Sequence, residues 1–209
     1  TAPAKPAAAE TPLVLIVDDD EAIREALTDL LRSVGIEARS FGSTRELLGA
    51  APSDRPGCLI LDVRLPGLSG LDLQAQLQRS GNTRPIIFMT GHGDIPMSVR
   101  AMKAGALDFL TKPFRDQDML DAVAAAIDQD RAQRQDAAAA KQVAALAATL
   151  TPREAEVMAA VVKGLMNKQI AGQLGISEIT VKLHRGNVMR KMEVRSVADL
   201  VRKTELLQH

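Results

Sequence analysis

Three aspartates follow short apolar runs. Asp18 and Asp19 come directly after Leu13–Val17, and Asp62 comes directly after Cys58–Leu61. If both runs are strands that lie side by side, these carboxylates converge. Carboxylates held that close repel and raise one another's pKa unless a cation sits among them. A hard cation that prefers oxygen ligands and keeps its waters, Mg²⁺, suits such a set. Two further groups end apolar runs: Thr90 after Ile86–Met89, and Lys112 after Phe109–Leu110. A carboxylate flanked by a metal ion, an ammonium and a hydroxyl is equipped to stabilise a transferring phosphoryl group. An aspartate after a strand also commonly caps the next helix, and that is the reading for Asp20.

The elements that must position these groups are legible as a pattern. The runs Leu13–Val17, Leu59–Leu61 and Ile86–Met89 are continuous, as in parallel strands buried on both faces. Ala38–Phe41 and Phe109–Leu110 are weaker strand candidates. Between them, Ala22–Val34 carries Ile23, Ala26, Leu27, Leu30 and Leu31 at helical spacing, and Leu71–Arg79 and Ile95–Ala104 are shorter helices. The expectation is a doubly wound five-stranded parallel sheet of flavodoxin-like order 2-1-3-4-5, an α/β domain. Right-handed crossovers then place every strand's carboxyl end on one edge, where ligands bind.

The remainder is helical. Residues 115–149 contain neither Gly nor Pro, and Met119, Leu120, Val123 and Ile127 form a stripe that should pack on the sheet. The stripe fades from Asp128 to Lys141, which suggests one continuous helix with a solvated second half, or alternatively a disordered Ala/Gln linker. Thr151-Pro152-Arg153-Glu154 has the signature of a helix start. Gly164 ends that helix, Asn167 is positioned to cap the next, and Gly175-Ile176-Ser177 forms a turn with Ser177 as another cap. Four short helices with a glycine-containing turn between the second and third describe a helix-turn-helix unit, an all-α C-terminal domain.

Charge divides the same way. The formal net charge is zero, but residues 1–127 carry 13 Lys/Arg against 17 Asp/Glu, and residues 150–209 carry 10 against 6. A basic second half points towards a polyanion. In the helix after Ser177, Ile179, Leu183 and Met192 read as an apolar side and Lys182, Arg185, Arg190 and Lys191 as a basic side suited to the major groove. Lys182 and Arg185 are expected to contact bases or phosphates; Arg190, Lys191 and Lys168 are expected on phosphates. Cys58, the single cysteine, reads as a small buried hydrophobe. Residues 1–11 read as a disordered leader without the apolar core of a signal peptide, and no run is long enough for a membrane span. A cytoplasmic location is expected.

Val17-Asp18-Asp19-Asp20, Leu61-Asp62 followed by Pro66 and Gly70, Met89-Thr90-Gly91 and Lys112-Pro113-Phe114 resemble the receiver domains of two-component response regulators, over about residues 12–127. The resemblance implies that Asp62 is the phosphoacceptor. It implies that Asp19, Asp62 and the backbone carbonyl of Arg64 bind Mg²⁺, with Asp18 helping through water. Thr90 and Lys112 would hold phosphoryl oxygens, Phe109 would be the switch aromatic, and the Lys112–Pro113 bond would be cis. Leu65 departs from the methionine often found there. Leu150 to Glu154, Asn167 to Ala171 and Ile176 to His184 are similar to the DNA-binding domain of NarL/LuxR-type regulators, over about residues 148–206. Thr90 to Met97 and His184 to Met189 look most like the FixJ subgroup. That family's base-contact positions fall on Lys182, Leu183 and Gly186, with Thr180 beside them. Its dimer helix would start at Val197.

The expected function is therefore a phosphorylation-dependent transcriptional regulator rather than an enzyme. Its expected partners are a sensor histidine kinase, double-stranded promoter DNA, RNA polymerase and, once phosphorylated, a second copy of itself. A phosphorelay or scaffold protein whose helical domain binds protein is the alternative. The expected division is a receiver over 12–127, a helical linker over 128–147 and the effector over 148–209.

Overall fold

The computed structural model describes residues 11–91 and 95–207, so the expected leader falls almost wholly outside the described residues, as do His92 and His209. The chain forms two compact units, Thr1–Gln133 and Arg134–His209.

The first unit holds strands β1 (Leu13–Val17), β2 (Glu37–Phe41), β3 (Leu59–Asp62), β4 (Ile86–Thr90) and β5 (Asp108–Thr111). Its helices are α1 (Glu21–Ser33), α2 (Thr44–Gly49), α3 (Gly70–Arg79), α4 (Ile95–Lys103) and the first part of α5 (Asp116–Ala147). The sheet order is β2-β1-β3-β4-β5 and every pair is parallel, as expected. The continuous apolar runs have the expected cause. Alternate residues of a strand point to opposite faces, and both faces are covered. Val14, Ile16, Ile60, Ile87 and Met89 pack with Leu27 and Leu31 of α1 and Met119, Val123 and Ile127 of α5. Val17, Leu59, Leu61, Ile86 and Phe88 pack on the other face with Leu73 and Ala101. Cys58 is fully buried, and burial pushes its thiol up to about 12, so it is an inert hydrophobe.

Two features were not anticipated. Helix α2 is only six residues long, too short to show a period. Its cap is local: Ser43 Oγ accepts the Glu46 N–H, and Glu46 accepts the Gly42 N–H. The second is Asp130. α5 is one continuous 32-residue helix, but the solvated reading of its second half fails at both ends. Asp130 is buried, its carboxylate 2.8 Å from the Gly57 N–H it accepts, and Val143 is buried in the core of the second unit.

That second unit holds α6 (Pro152–Val162), α7 (Asn167–Leu174), α8 (Glu178–Lys191) and α9 (Val197–Glu205). Thr151 and Glu154 form a capping box at α6, and Ser177 and Ser196 cap α8 and α9. Gly175 takes a left-handed φ of 65° between α7 and α8, a conformation that glycine adopts without strain. The cap of α7 differs from expectation. Met166 occupies the cap position and Asn167 is the first helical residue. The Met166 N–H is satisfied instead by Gln169 Oε1, at 2.8 Å. Val157, Val161, Ile170, Val181, Val188, Met192 and Leu200 form the core. Among the described residues, no helix is long and apolar enough to cross a membrane.

Candidate functional site

The sheet order reverses between β1 and β3, the place where an open α/β sheet leaves a crevice. Val17 and Leu61 are register partners there, so the next residues, Asp18 and Asp62, emerge level with each other. Carboxylate oxygens of Asp18, Asp19 and Asp62 lie within 4.8 Å of one another. Asp18 is fully buried and Asp62 nearly so, while Asp19 is exposed.

Lys112 closes the group. Its backbone N–H donates to the Thr90 carbonyl at 2.7 Å, carrying the β4–β5 pairing one residue further, and the Lys112–Pro113 peptide is cis. Its ammonium lies 2.6 Å from Asp18 Oδ2 and 2.9 Å from Asp62 Oδ2. The other oxygens are also fixed, Asp18 Oδ1 by the Asp20 N–H and Asp62 Oδ1 by the Arg64 N–H, each at 2.9 Å. Burial pushes the Asp18 carboxyl above its usual range, more than its hydrogen bonds from Lys112 and Asp20 pull it down. Burial alone would lower Lys112, but its hydrogen bonds to Asp18 and Asp62 outweigh that, so its ammonium is held above the ordinary lysine value.

Three carboxylates against one ammonium leave an excess negative charge on hard oxygen donors. That donor set fits a divalent cation such as Mg²⁺. Thr90 is buried at the end of β4. Phe109 is half-buried, its ring centroid 6.5 Å from that of Phe88. Asp20 stands apart, accepting the Ala22 N–H as the cap of α1.

Arg24 was not singled out from sequence, and Gly70 entered only as part of the receiver motif. Arg24 donates to the Asp18 carbonyl at 2.8 Å. Gly70 begins α3 against the backbone of the strand that bears Asp62. A Cβ there would lie 2.4 Å from the Asp62 carbonyl oxygen, so any side chain would push the segment after Asp62 away.

The second group of expected residues lies on α7 and α8. Ile179, Lys182, Leu183, Gly186 and Arg190 are exposed and recur at helical spacing on one face. Val181, Val188 and Met192 form the buried face. This corrects the expected division: Ile179 and Leu183 belong with the basic residues, and only Met192 faces the core. Lys168 is exposed on α7. Thr180 is half-buried, and its N–H and hydroxyl both meet Ser177 Oγ at the start of α8. Arg185 donates to Asn167 Oδ1 at 2.7 Å and so joins α8 to α7. Lys191 does not stand free as a phosphate clamp would. It donates to Glu154 Oε2 at 2.6 Å and to the Thr149 carbonyl at 3.0 Å. That hydrogen bond, with the Thr151 N–H, lowers Glu154 to about 2. In α9, Leu200 is buried and Val197 exposed, so the helix is part core and part surface.

Comparison with known proteins matches residues 14–124 to the response regulator receiver domain and residues 148–204 to the luxR family of bacterial regulatory proteins. Nodulation protein W of Bradyrhizobium diazoefficiens is 57% identical over 195 residues, covering 93% of this chain and 86% of that protein. Transcriptional regulatory protein FixJ of the same organism is 42% identical over 189 residues, covering 90% and 92%. Among solved structures, response regulator StyR superposes with a TM-score of 0.80 at 49% identity, covering 93% of this chain and 98% of that one. Full-length FixJ from B. japonicum superposes with a TM-score of 0.58 at 40% identity, covering 94% and 97%.

Proposed function

The chain belongs to the response regulators that join a receiver domain to a luxR-type DNA-binding domain, and on that premise we propose that Asp62 is the residue whose phosphorylation controls promoter binding. The observation that carries this reading is the Lys112 ammonium set between Asp18 and Asp62 at the carboxyl ends of three strands. The receiver spans 12–127, the helical linker 128–147 and the effector 148–209.

The phosphoryl donor is a histidine kinase. A carboxylate oxygen of Asp62 bonds to phosphorus as the bond from phosphorus to the kinase's histidine nitrogen breaks, and the imidazole leaves. Lys112 and the Thr90 hydroxyl hold the phosphoryl oxygens. Asp19, Asp62 and the Arg64 carbonyl would hold Mg²⁺, with Asp18 helping through water, and the ion would neutralise charge on those oxygens. The acyl phosphate carries roughly −1.5 to −2 charge in place of the single charge of the carboxylate that had been bonded to Lys112. Thr90 turns towards it and Phe109 moves into the space vacated. The receiver thereby shifts between two packings, and the shift favours a homodimer that binds promoter DNA and engages RNA polymerase.

On the effector, Lys182, Leu183 and Gly186 face the bases, and Lys168 and Arg190 face phosphates. Thr180 and Arg185 hold the start of α8 and its junction with α7. Lys191 is a structural cation paired with Glu154.

The test is labelling with acetyl phosphate. Wild type takes up one phosphoryl group in the presence of Mg²⁺. Asp62→Asn and chelation of Mg²⁺ should each abolish uptake, and full labelling of Asp62→Asn would remove the assignment.

A further inference from the structure

Helix α8 presents two large aliphatic side chains to solvent on the face that carries Lys182 and Arg190. Ile179 is 79% exposed and Leu183 64% exposed. Ile179 is the most exposed large hydrophobic residue among those described. They lie one turn apart, with Lys182 between them and Arg190 further along the same face. The unit's own core uses the opposite side of the helix, through Val181, Val188 and Met192. Burying Ile179 and Leu183 within the unit would turn that core out.

The charge around the pair selects the occupant. Cations interleaved with aliphatic groups on the second helix of a helix-turn-helix suit a polyanion whose groove contains apolar groups. Bases offer mostly hydrogen-bonding atoms in the major groove, which Ile179 and Leu183 cannot engage. The apolar group presented there is the C5-methyl of thymine. Resting on the DNA-binding reading above, we infer that Ile179, with Leu183, selects thymines at two positions of each half-site by packing on their methyl groups.

Two further features support contact with bases. A Cβ built on Gly186 meets nothing within 4 Å, so the helix face is bare backbone beside Leu183 and can approach the base edges closely. Ile179 is β-branched and loses little rotamer freedom on contact. The spacing also constrains the site. Residues four apart on a helix are ~6 Å apart along its axis, roughly two base steps at ~3.4 Å each.

The experiment uses the full chain, phosphorylated with acetyl phosphate, and a duplex selected by it from a random pool. Each thymine in the duplex is replaced in turn by deoxyuridine, which removes only the methyl group. Two replacements per half-site, within about two steps of each other, should each weaken wild-type binding about fourfold, the worth of burying one such group. Ile179→Ala should make one of those positions indifferent to the methyl, and Leu183→Ala the other. Indifference of wild type at every thymine overturns the inference while leaving DNA binding intact, as do penalties that persist unchanged in Ile179→Ala. A wild-type chain that binds no duplex at low salt overturns the DNA-binding reading itself, and this inference with it.

Discussion

Single residues in both units do their work through partners far away in sequence, and that separates what was legible from what was not. The three carboxylates, Thr90 and Lys112 were readable because each ends an apolar run, and a parallel sheet brings such ends together. The pairs of Arg185 with Asn167 and of Lys191 with Glu154 were not readable. Their members lie 18 and 37 residues apart, and nothing local distinguishes a paired cation from a free one. The Lys191–Glu154 pair makes a pH prediction. Glu154 is lowered from its ordinary 4.5 to about 2, so its contribution to stability is present above pH 4.5 and lost as pH falls towards 2. Calorimetry should show wild type melting above Glu154→Gln at pH 6, with the difference shrinking through that window. A difference that stays constant down to pH 2 would contradict the pairing.

At the scale of elements, strands were clearer than helix faces. Residues of β1, β3 and β4 are buried on both sides, so their runs are continuous and unmistakable. The face of α8 was misassigned because Ile179 and Leu183 look like core residues. The decisive signal was the 7- and 11-residue spacing of Val181, Val188 and Met192, which places the interior elsewhere. Asp130 was hidden for a related reason: one aspartate in an Ala/Gln/Arg helix looks solvated until its Gly57 partner is known. The corrected face of α8 makes a prediction of its own. Lys182→Ala should weaken cognate DNA by about 1–3 kcal/mol and random DNA much less. Arg190→Ala should weaken both alike and lower the salt slope by about one. Equal, sequence-independent losses would erase the division between base reader and phosphate clamp.

For the whole molecule, the proposed phosphoacceptor Asp62 and the proposed DNA-facing helix α8 belong to different units, so on that proposal phosphorylation acts on DNA binding through a change in state of the chain. Dimerisation is the simplest such change. Two recognition helices on a two-fold site gain far more affinity than one, because the second half-site is bound at high effective concentration. Sedimentation should therefore show phosphorylated protein shifted towards dimer relative to unphosphorylated protein. A monomer that keeps full DNA affinity would remove dimerisation from the mechanism. Control of promoter binding by Asp62 phosphorylation is read out by titrating the selected duplex with wild type and Asp62→Asn, each with and without acetyl phosphate and Mg²⁺. The phosphodonor should tighten binding of wild type at least tenfold (about 1.4 kcal/mol) and leave Asp62→Asn unchanged. Equal tightening of both proteins, or of neither, would contradict that control.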